Sequence, residues 1–294
     1  MKQSNKAYIY VSLAILFWGT SASAFKIGLL YCDYFQLLLY SSITALIVLF
    51  LVIIIQRKIK LLFLIKFIDI KKSFLLGFLS PFLYYIILFK AYSLLQAQIA
   101  QTLNYIWPIT LVLLSIPILK QKLAFKSIIA LIISFIGVIF ISSKGKLFDY
   151  SITEPLGIFL ALGSSILWAL YWLYNMKDKI DQVVRLFYNF LFASIFIFIT
   201  TFIYSSVNIN INGLISSVYI GMFEMAFTYI LWLKALRLSR TTAKISNLIF
   251  LTPFVSLIFI HFILHESIYY TTIIGLVLII IGIVIEQTNN IFSN

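Results

Sequence analysis

The stretch from Ser73 to Phe140 occurs twice in this chain, and that duplication limits the folds open to it. The first copy reads GFLSPFLYYIILFKAYSLL, then NYIWPITLVLLSIPILKQK, then IIALIISFIGVIF. The second reads GMFEMAFTYILWLKALRLS, then IFLTPFVSLIFIHFILHES, then IIGLVLIIIGIVI. Gly77 matches Gly221, Tyr85 matches Tyr229, and Lys90 and Ala91 match Lys234 and Ala235 at one offset. After one inserted residue, Pro108 matches Pro253, Ile128 and Ile129 match Ile273 and Ile274, and Gly137 matches Gly282. Each copy holds three apolar runs of membrane-spanning length. A long internal period of this kind marks a duplicated membrane unit, not a solenoid of short repeats.

Composition agrees. The 294 residues are 63% apolar and 11% charged, whereas soluble domains sit near half apolar and about a quarter charged. Apolar runs follow one another with short polar breaks, so the expected class is an all-α polytopic membrane protein. Backbone in lipid has no water to bond, which favours helices. The net charge of +13 does not point to nucleic acid, because Lys and Arg sit between apolar runs. It follows from topology, since cytoplasmic loops collect these residues. A lone Cys32 excludes an intrachain disulfide. Lys2, Lys6, an apolar run and Ser21-Ala22-Ser23-Ala24 imitate a cleaved signal peptide. The run resumes after Lys26, and Trp18 has a counterpart in Trp168, so the segment is assigned to the repeat.

Ten spans are expected, at about 7–30, 34–56, 73–95, 97–119, 127–143, 155–175, 184–204, 215–234, 243–264 and 268–286. The loop 57–72 carries Arg57, Lys58, Lys60, Lys66, Lys71 and Lys72, which places it in the cytoplasm. The same side then receives Lys2, Lys6, Lys120, Lys122, Lys126, Lys177, Lys179, Arg185, Lys234, Arg237, Arg240 and Lys244. That is eighteen of the 22 cations. Lys26, Lys90, Lys144 and Lys146 fall on the other side. Adding or deleting one span would destroy the asymmetry. Ten spans in two copies means five per copy, and five is odd. The second copy therefore enters from the opposite side, and the two form inverted repeats with a shared site near the bilayer midplane. Both termini are expected in the cytoplasm.

Polar residues inside the spans are the candidates for that site. Glu224 is the one acid placed deep in a span, where a charge is costly and should face a cavity, a substrate ammonium or a proton. Its neutral alternative is a bond to a neighbouring helix. Thr228 lies one turn on, and the matching positions in span three are Ser80 and Tyr84. Asn104 and Trp107 share a face, and an amide in hydrocarbon needs a partner. Asn247 and Phe250 occupy the neighbouring region of the second copy. Span one contributes Trp18 and Ser21; its Gly19 and Ser23 read as helix-packing residues. Span six contributes Trp168 and Tyr171. Pro108 and Pro253 lie near the middle of spans four and nine. There a proline frees a backbone carbonyl and bends the helix, so both are read as hinges. His261 and His265 are too few for a metal site and read as interfacial.

No phosphate-binding glycine loop, Cys/His cluster or carboxylate pair for acid–base work is present. Transport without ATP, cofactor or metal is therefore expected, not catalysis. The duplication, Trp18-Gly19 followed by Lys26, the Ala91 and Ala235 ends of spans three and eight, and the Gly137 and Gly282 helices resemble the drug/metabolite transporter superfamily, in particular its EamA-type members. The resemblance covers nearly the whole chain. It implies residues 1–143 as the first five-helix repeat, 144–154 as linker and 155–294 as the second repeat. It also implies a central cavity lined by spans one, three, four, six, eight and nine. Asn104-Tyr105-Ile106-Trp107-Pro108 is similar to the Asn-Tyr-Leu-Trp-Pro stretch of aromatic-amino-acid exporters in this family. Family members often carry Glu at the ends of spans four and nine. Glu266 fills the second place, but Gln121 stands in the first.

The expected function is secondary transport of a small metabolite through a bacterial inner membrane. An amino acid moving outward by alternating access is the leading case, with a monomer surrounded by lipid and a coupling proton as possible co-substrate. Uptake or exchange of S-adenosylmethionine or a similar larger metabolite is the alternative. An intramembrane enzyme or scaffold is the alternative of another class.

Overall fold

The structure, a computed structural model, describes residues 3–95, 97–143, 154–208, 210–264 and 269–288. Lys2, the 144–153 part of the linker, His265 and Glu266 lie outside them. Among the described residues the regular structure is helical throughout, with no strand. Seven helices are long and apolar enough to cross a membrane, and three shorter apolar helices complete ten spans. Span one is Gln3–Leu29 and span two Tyr34–Ile55; a short helix, Ile59–Phe63, follows. Span three is Phe67–Leu94, so it starts inside the basic segment 57–72. Span four is Ala97–Asn104 followed by Trp107–Leu119, and span five is Phe125–Ser142. Spans six and seven are Pro155–Lys177 and Gln182–Tyr204. Span eight is Ile211–Leu238. Span nine is Thr242–Leu248 followed by Leu251–Leu264, and span ten is Tyr270–Thr288. The signal-like stretch Ser21–Ala24 is buried within span one.

The two halves pack as the duplication requires. Span one lies against spans eight and nine, and its counterpart, span six, lies against spans three and four. Span two meets span eight, and span seven meets span three. Spans two and seven pack together, as do spans five and ten. Each unit thus embraces the other. Asp33 caps span two by accepting the Phe35 and Gln36 amides, while the Gln36 side chain accepts the Asp33 amide. Asp181 caps the equivalent span seven, accepting the Val183 and Val184 amides. These caps satisfy donors that a helix end otherwise leaves exposed.

Glycines set the close crossings. A Cβ on Gly77 would collide with the Asn189 carbonyl of span seven, and one on the matched Gly221 with the Ser41 carbonyl of span two. Lipid offers helices no hydrophobic drive to associate, so close backbone contact supplies much of the attraction.

Two backbone irregularities recur in both halves. A widened turn interrupts span three at Phe78–Leu83 and span eight at Ile220–Ala226. There the Tyr84 amide donates to the Leu79 carbonyl and the Phe227 amide to the Met222 carbonyl, each five residues back. Ser80 is extended, and the peptide before Pro81 is cis. Such wide turns concentrate at functional sites.

The second irregularity corrects the reading of the prolines as mid-helix kinks. Span four breaks at Tyr105–Ile106 and span nine at Ile249–Phe250. Pro108 is the second residue of its half-helix and Pro253 the third. In a first turn the missing proline N–H has no partner to lose. The prolines start the second half-helices instead of bending continuous ones.

Replacing Gly77 or Gly221 by Leu is expected to overpack a crossing and cost about 1–3 kcal/mol. Gly163→Ala is the control, since nothing lies within 4 Å of its Cβ position. Thermal unfolding of the detergent-solubilised variants measures both. Equal midpoints for all three would contradict the crossing geometry.

Candidate functional site

Glu224 sits in the widened turn of span eight and is buried. Its Oε2 accepts from Ser21 Oγ of span one at 2.5 Å, and its Oε1 from the Tyr85 hydroxyl of span three at 2.8 Å. The Trp18 indole donates to the Glu224 backbone carbonyl at 3.3 Å. Tyr85 in turn accepts from the Tyr229 hydroxyl at 3.3 Å, and Ser80 Oγ lies 3.5 Å from that hydroxyl. One carboxylate thus connects three spans drawn from both halves. The repeat-matched pair Tyr85 and Tyr229 meet across the interface.

A narrow cavity of about 50 Å³ opens beside it. Its walls are Trp18, Ser21, Ala22 and Phe25 of span one, Tyr84, Leu88 and Tyr92 of span three, Gln101, Asn104, Tyr105 and Trp107 of span four, Trp168 and Glu224. Metabolite pockets occupy about 300–1,000 Å³. This conformation therefore has room for a few waters, and a larger solute requires the halves to part. The cavity lies in the half of the bundle where spans one and three end and span four begins. Asn104 is held in its wall by a 2.9 Å bond from Nδ2 to Ser164 Oγ of span six.

All five tryptophans of the chain converge at the other end of the cavity. Trp18 lies 6.1, 5.9 and 5.5 Å, between ring centroids, from Trp107, Trp168 and Trp232. Trp107 contacts Trp168 and Trp232, and Trp168 contacts Trp172 at 5.3 Å. Tyr84 stacks on Trp168 at 4.3 Å. Each aromatic pair adds about 0.5–1.5 kcal/mol beyond area burial, so the group makes a stiff floor. The buried indole nitrogens of Trp168, Trp172 and Trp232 have no hydrogen-bond partner among the described residues.

Below the floor lies a charged layer at the end carrying the basic loops. Arg185 is fully buried. Its Nη1 donates to the Asp69 carbonyl and to Ser73 Oγ, both at 2.6 Å. Its Nη2 stands 2.5 Å from Asp178 Oδ2 and 3.5 Å from Asp69 Oδ1, as a charge contact and not an aligned hydrogen bond. Arg237 Nη2 donates to the Asn175 carbonyl at 2.7 Å. Lys58 pairs with Asp181 at 2.6 Å. These contacts join the ends of spans two, three, six, seven and eight. Arg185, counted in the sequence as one more loop cation, is a buried structural charge, because two carboxylates and a carbonyl converge on it.

Seven expected site residues line the cavity together: Trp18, Ser21, Tyr84, Asn104, Trp107, Trp168 and Glu224. Five stand elsewhere. Tyr171 lies behind the floor, its hydroxyl accepting from Asn189 Nδ2 at 3.2 Å. Ser80 joins the Tyr229 end of the hydrogen-bonded chain. Thr228 does not line the cavity; its hydroxyl donates to the Phe223 carbonyl in the widened turn. Asn247 ties span nine to its neighbours, accepting from Ser134 Oγ at 2.7 Å and donating to the Gly282 carbonyl at 2.8 Å. Phe250 packs in the apolar cluster with Tyr105, Val112 and Leu131. Span nine accordingly gives the cavity no described wall residue. Sequence reasoning missed Tyr92, Gln101 and Phe25 as walls, and Tyr85 as a carboxylate donor. For Tyr85 the repeat match to Tyr229 was the available signal.

The pattern of the EamA-like transporter family matches residues 5–143 and 155–286. The chain belongs to that family. Relatives agree in kind. An uncharacterized transporter of Archaeoglobus fulgidus is 24% identical over 287 residues, covering 95% of this chain and 98% of the relative. One from Clostridium kluyveri is 29% identical over 187 residues, 60% of this chain and 59% of that relative. YvbV of Bacillus subtilis, also an uncharacterized transporter, is 26% identical over 208 residues, 69% of this chain and 63% of its own length. One solved crystal structure superposes with a TM-score of 0.81 at 16% identity, covering 96% of both chains, which shows the shared fold. The chain is thus an EamA-like membrane transporter.

With every tryptophan in one buried cluster, intrinsic fluorescence is expected to be blue-shifted and resistant to iodide. Red-shifted, readily quenched emission from folded protein would contradict the floor.

Proposed function

We propose that the chain is a secondary transporter of a small amine-bearing metabolite, the class that includes amino acids, in a bacterial inner membrane. The observation that supports it is a cavity lined by aromatic rings and one carboxylate between two intertwined halves, bounded at one end by an aromatic floor and an ion-pair layer. In this reading the basic end is cytoplasmic, by the distribution of cations, with both termini there. The cavity then lies toward the outside. Rocking of the halves breaks the floor and the Arg185 layer, parts the loops they join, and presents the cavity to the other side. Outward movement of the solute is the direction proposed.

Glu224 is the group on which a coupling proton would ride. Its neighbours from the packed spans are hydroxyls and rings: Ser21, Tyr85, Tyr84, Tyr92 and Trp18. Proton and substrate amine then compete for one carboxylate, and a monomer suffices for the cycle. Uptake or exchange of S-adenosylmethionine is the second reading, favoured by the same carboxylate and aromatic walls, and it demands greater opening of the cavity.

Reconstituted vesicles loaded with unlabelled amino acids or S-adenosylmethionine are expected to accumulate the matching labelled solute by counterflow. Failure of every solute in the panel would sink the carrier reading. Glu224→Gln is expected to leave residual exchange independent of pH where the wild type varies with it. An unchanged pH profile would remove the coupling role. Reporters fused to either terminus are expected to read as cytoplasmic; opposite sides for the two ends would overturn the topology.

A further inference from the structure

Among the described residues the cavity wall contains one carboxylate, seven aromatic side chains and no Lys, Arg or His. Lys26, one residue beyond the wall residue Phe25, is exposed at the surface, and the other nearby cations are engaged elsewhere. Arg185 and Arg237 are held in the charged layer below the floor. Lys90 lies over the Tyr34 ring, 5.9 Å from its centroid, and Lys234 over the Tyr10 ring at 5.4 Å. Glu224 therefore has hydrogen-bond donors but no counter-ion among the described residues. Each of its oxygens accepts one side-chain bond, and a carboxylate has about four acceptor positions. Two remain for a ligand.

The rings beside it suit a cation. Trp18, Trp107 and Trp168 stand mutually 5.9–6.2 Å apart at steep angles, so faces and edges alternate around one corner of the cavity. Indole faces attract ammonium groups by about 0.5–2 kcal/mol, more as water is excluded. An organic cation gains both the ion pair and these faces. A carboxylate on the same ligand gains neither. It would be offered only neutral donors, among them the side-chain amides of Gln101 and Asn104, and one of the two Asn104 Nδ2 protons already bonds Ser164. It would also approach Glu224 where low dielectric magnifies like-charge repulsion.

We infer that this cavity, once the halves part enough to admit a solute, selects an organic ammonium monocation without a carboxylate, its charge on Glu224 and its apolar body against Trp18, Trp107 and Trp168. The inference rests on reading this cavity as the transport site, and it narrows the amine-bearing class: among matched molecules the amine outcompetes the amino acid.

Three probes that share one ring test it: 2-phenylethylamine, phenylalanine and 3-phenylpropionate. Quenching of tryptophan fluorescence in the purified full-length protein reports binding, and calorimetry repeats it. The amine is expected to bind at least about tenfold more tightly than phenylalanine, a difference of about 1.4 kcal/mol. The acid is expected not to bind. Glu224→Gln is expected to weaken the amine by about tenfold or more, while Glu224→Asp, which keeps the charge, recovers part of the loss.

Phenylalanine binding as tightly as the amine would overturn the inference. So would unchanged amine binding in a Glu224→Gln variant that unfolds at the wild-type temperature. Should that variant not fold, the three-probe comparison on the wild type decides. Amine binding without counterflow of any solute would uphold the inference and defeat the carrier reading. Counterflow of amino acids with no amine binding would do the reverse.

Discussion

The carboxylate of Glu224 is the contact on which the centre of this molecule depends. An ionised acid at membrane depth costs about 2.5–3.5 kcal/mol even by the lenient insertion scales. The chain offsets that cost locally, with one hydroxyl from span one and one from span three. Those two donors belong to the first half and the acid to the second. The same bonds that make Glu224 tolerable therefore hold the halves in register around the cavity. The Trp18 indole on the Glu224 carbonyl adds a third tie and brings the aromatic floor into the same assembly.

Symmetry supplies the frame, and departures from it supply the site. Spans three and eight both carry a widened turn, but Ser80 stands where the other copy has Glu224. Spans four and nine both break ahead of a proline. In span four the break presents Asn104 and Trp107 to the cavity. In span nine Asn247 is spent on Ser134 and Gly282, where spans five and ten pack. A perfectly symmetric pair would place two acids near one axis, where like charges repel. One acid with tyrosine and serine partners avoids that.

The two ends of the molecule are built from different materials. One half of the bundle holds the narrow cavity; the other is filled by indoles and then by a buried Arg185 with its carboxylates. Breaking a buried pair by removing one partner costs far more than the pair contributes to stability. Such layers favour discrete arrangements over gradual deformation. An ion-pair layer at the ends of five spans is a contact that rigid halves either make or break as a unit.

Much of this was legible in the residues. The repeat, ten apolar runs and an odd number per copy were enough for two inverted five-helix units, because lipid forces each run to be helical and alternate runs to reverse. Seven of the residues named as site candidates line the cavity, since a polar or indole side chain deep in an apolar run has few places to go. What the linear pattern could not contain was how the helices turn about their axes. A widened turn in span eight gave the Thr228 hydroxyl a backbone carbonyl as its partner, and first-turn prolines left spans four and nine as paired half-helices. Tyr85, Tyr92 and Trp232 read as ordinary apolar-run aromatics until crossing angles brought five spans together. Spacing along one helix reports which residues share a face; which faces meet is a property of packing, and packing alone gathered every indole under one carboxylate.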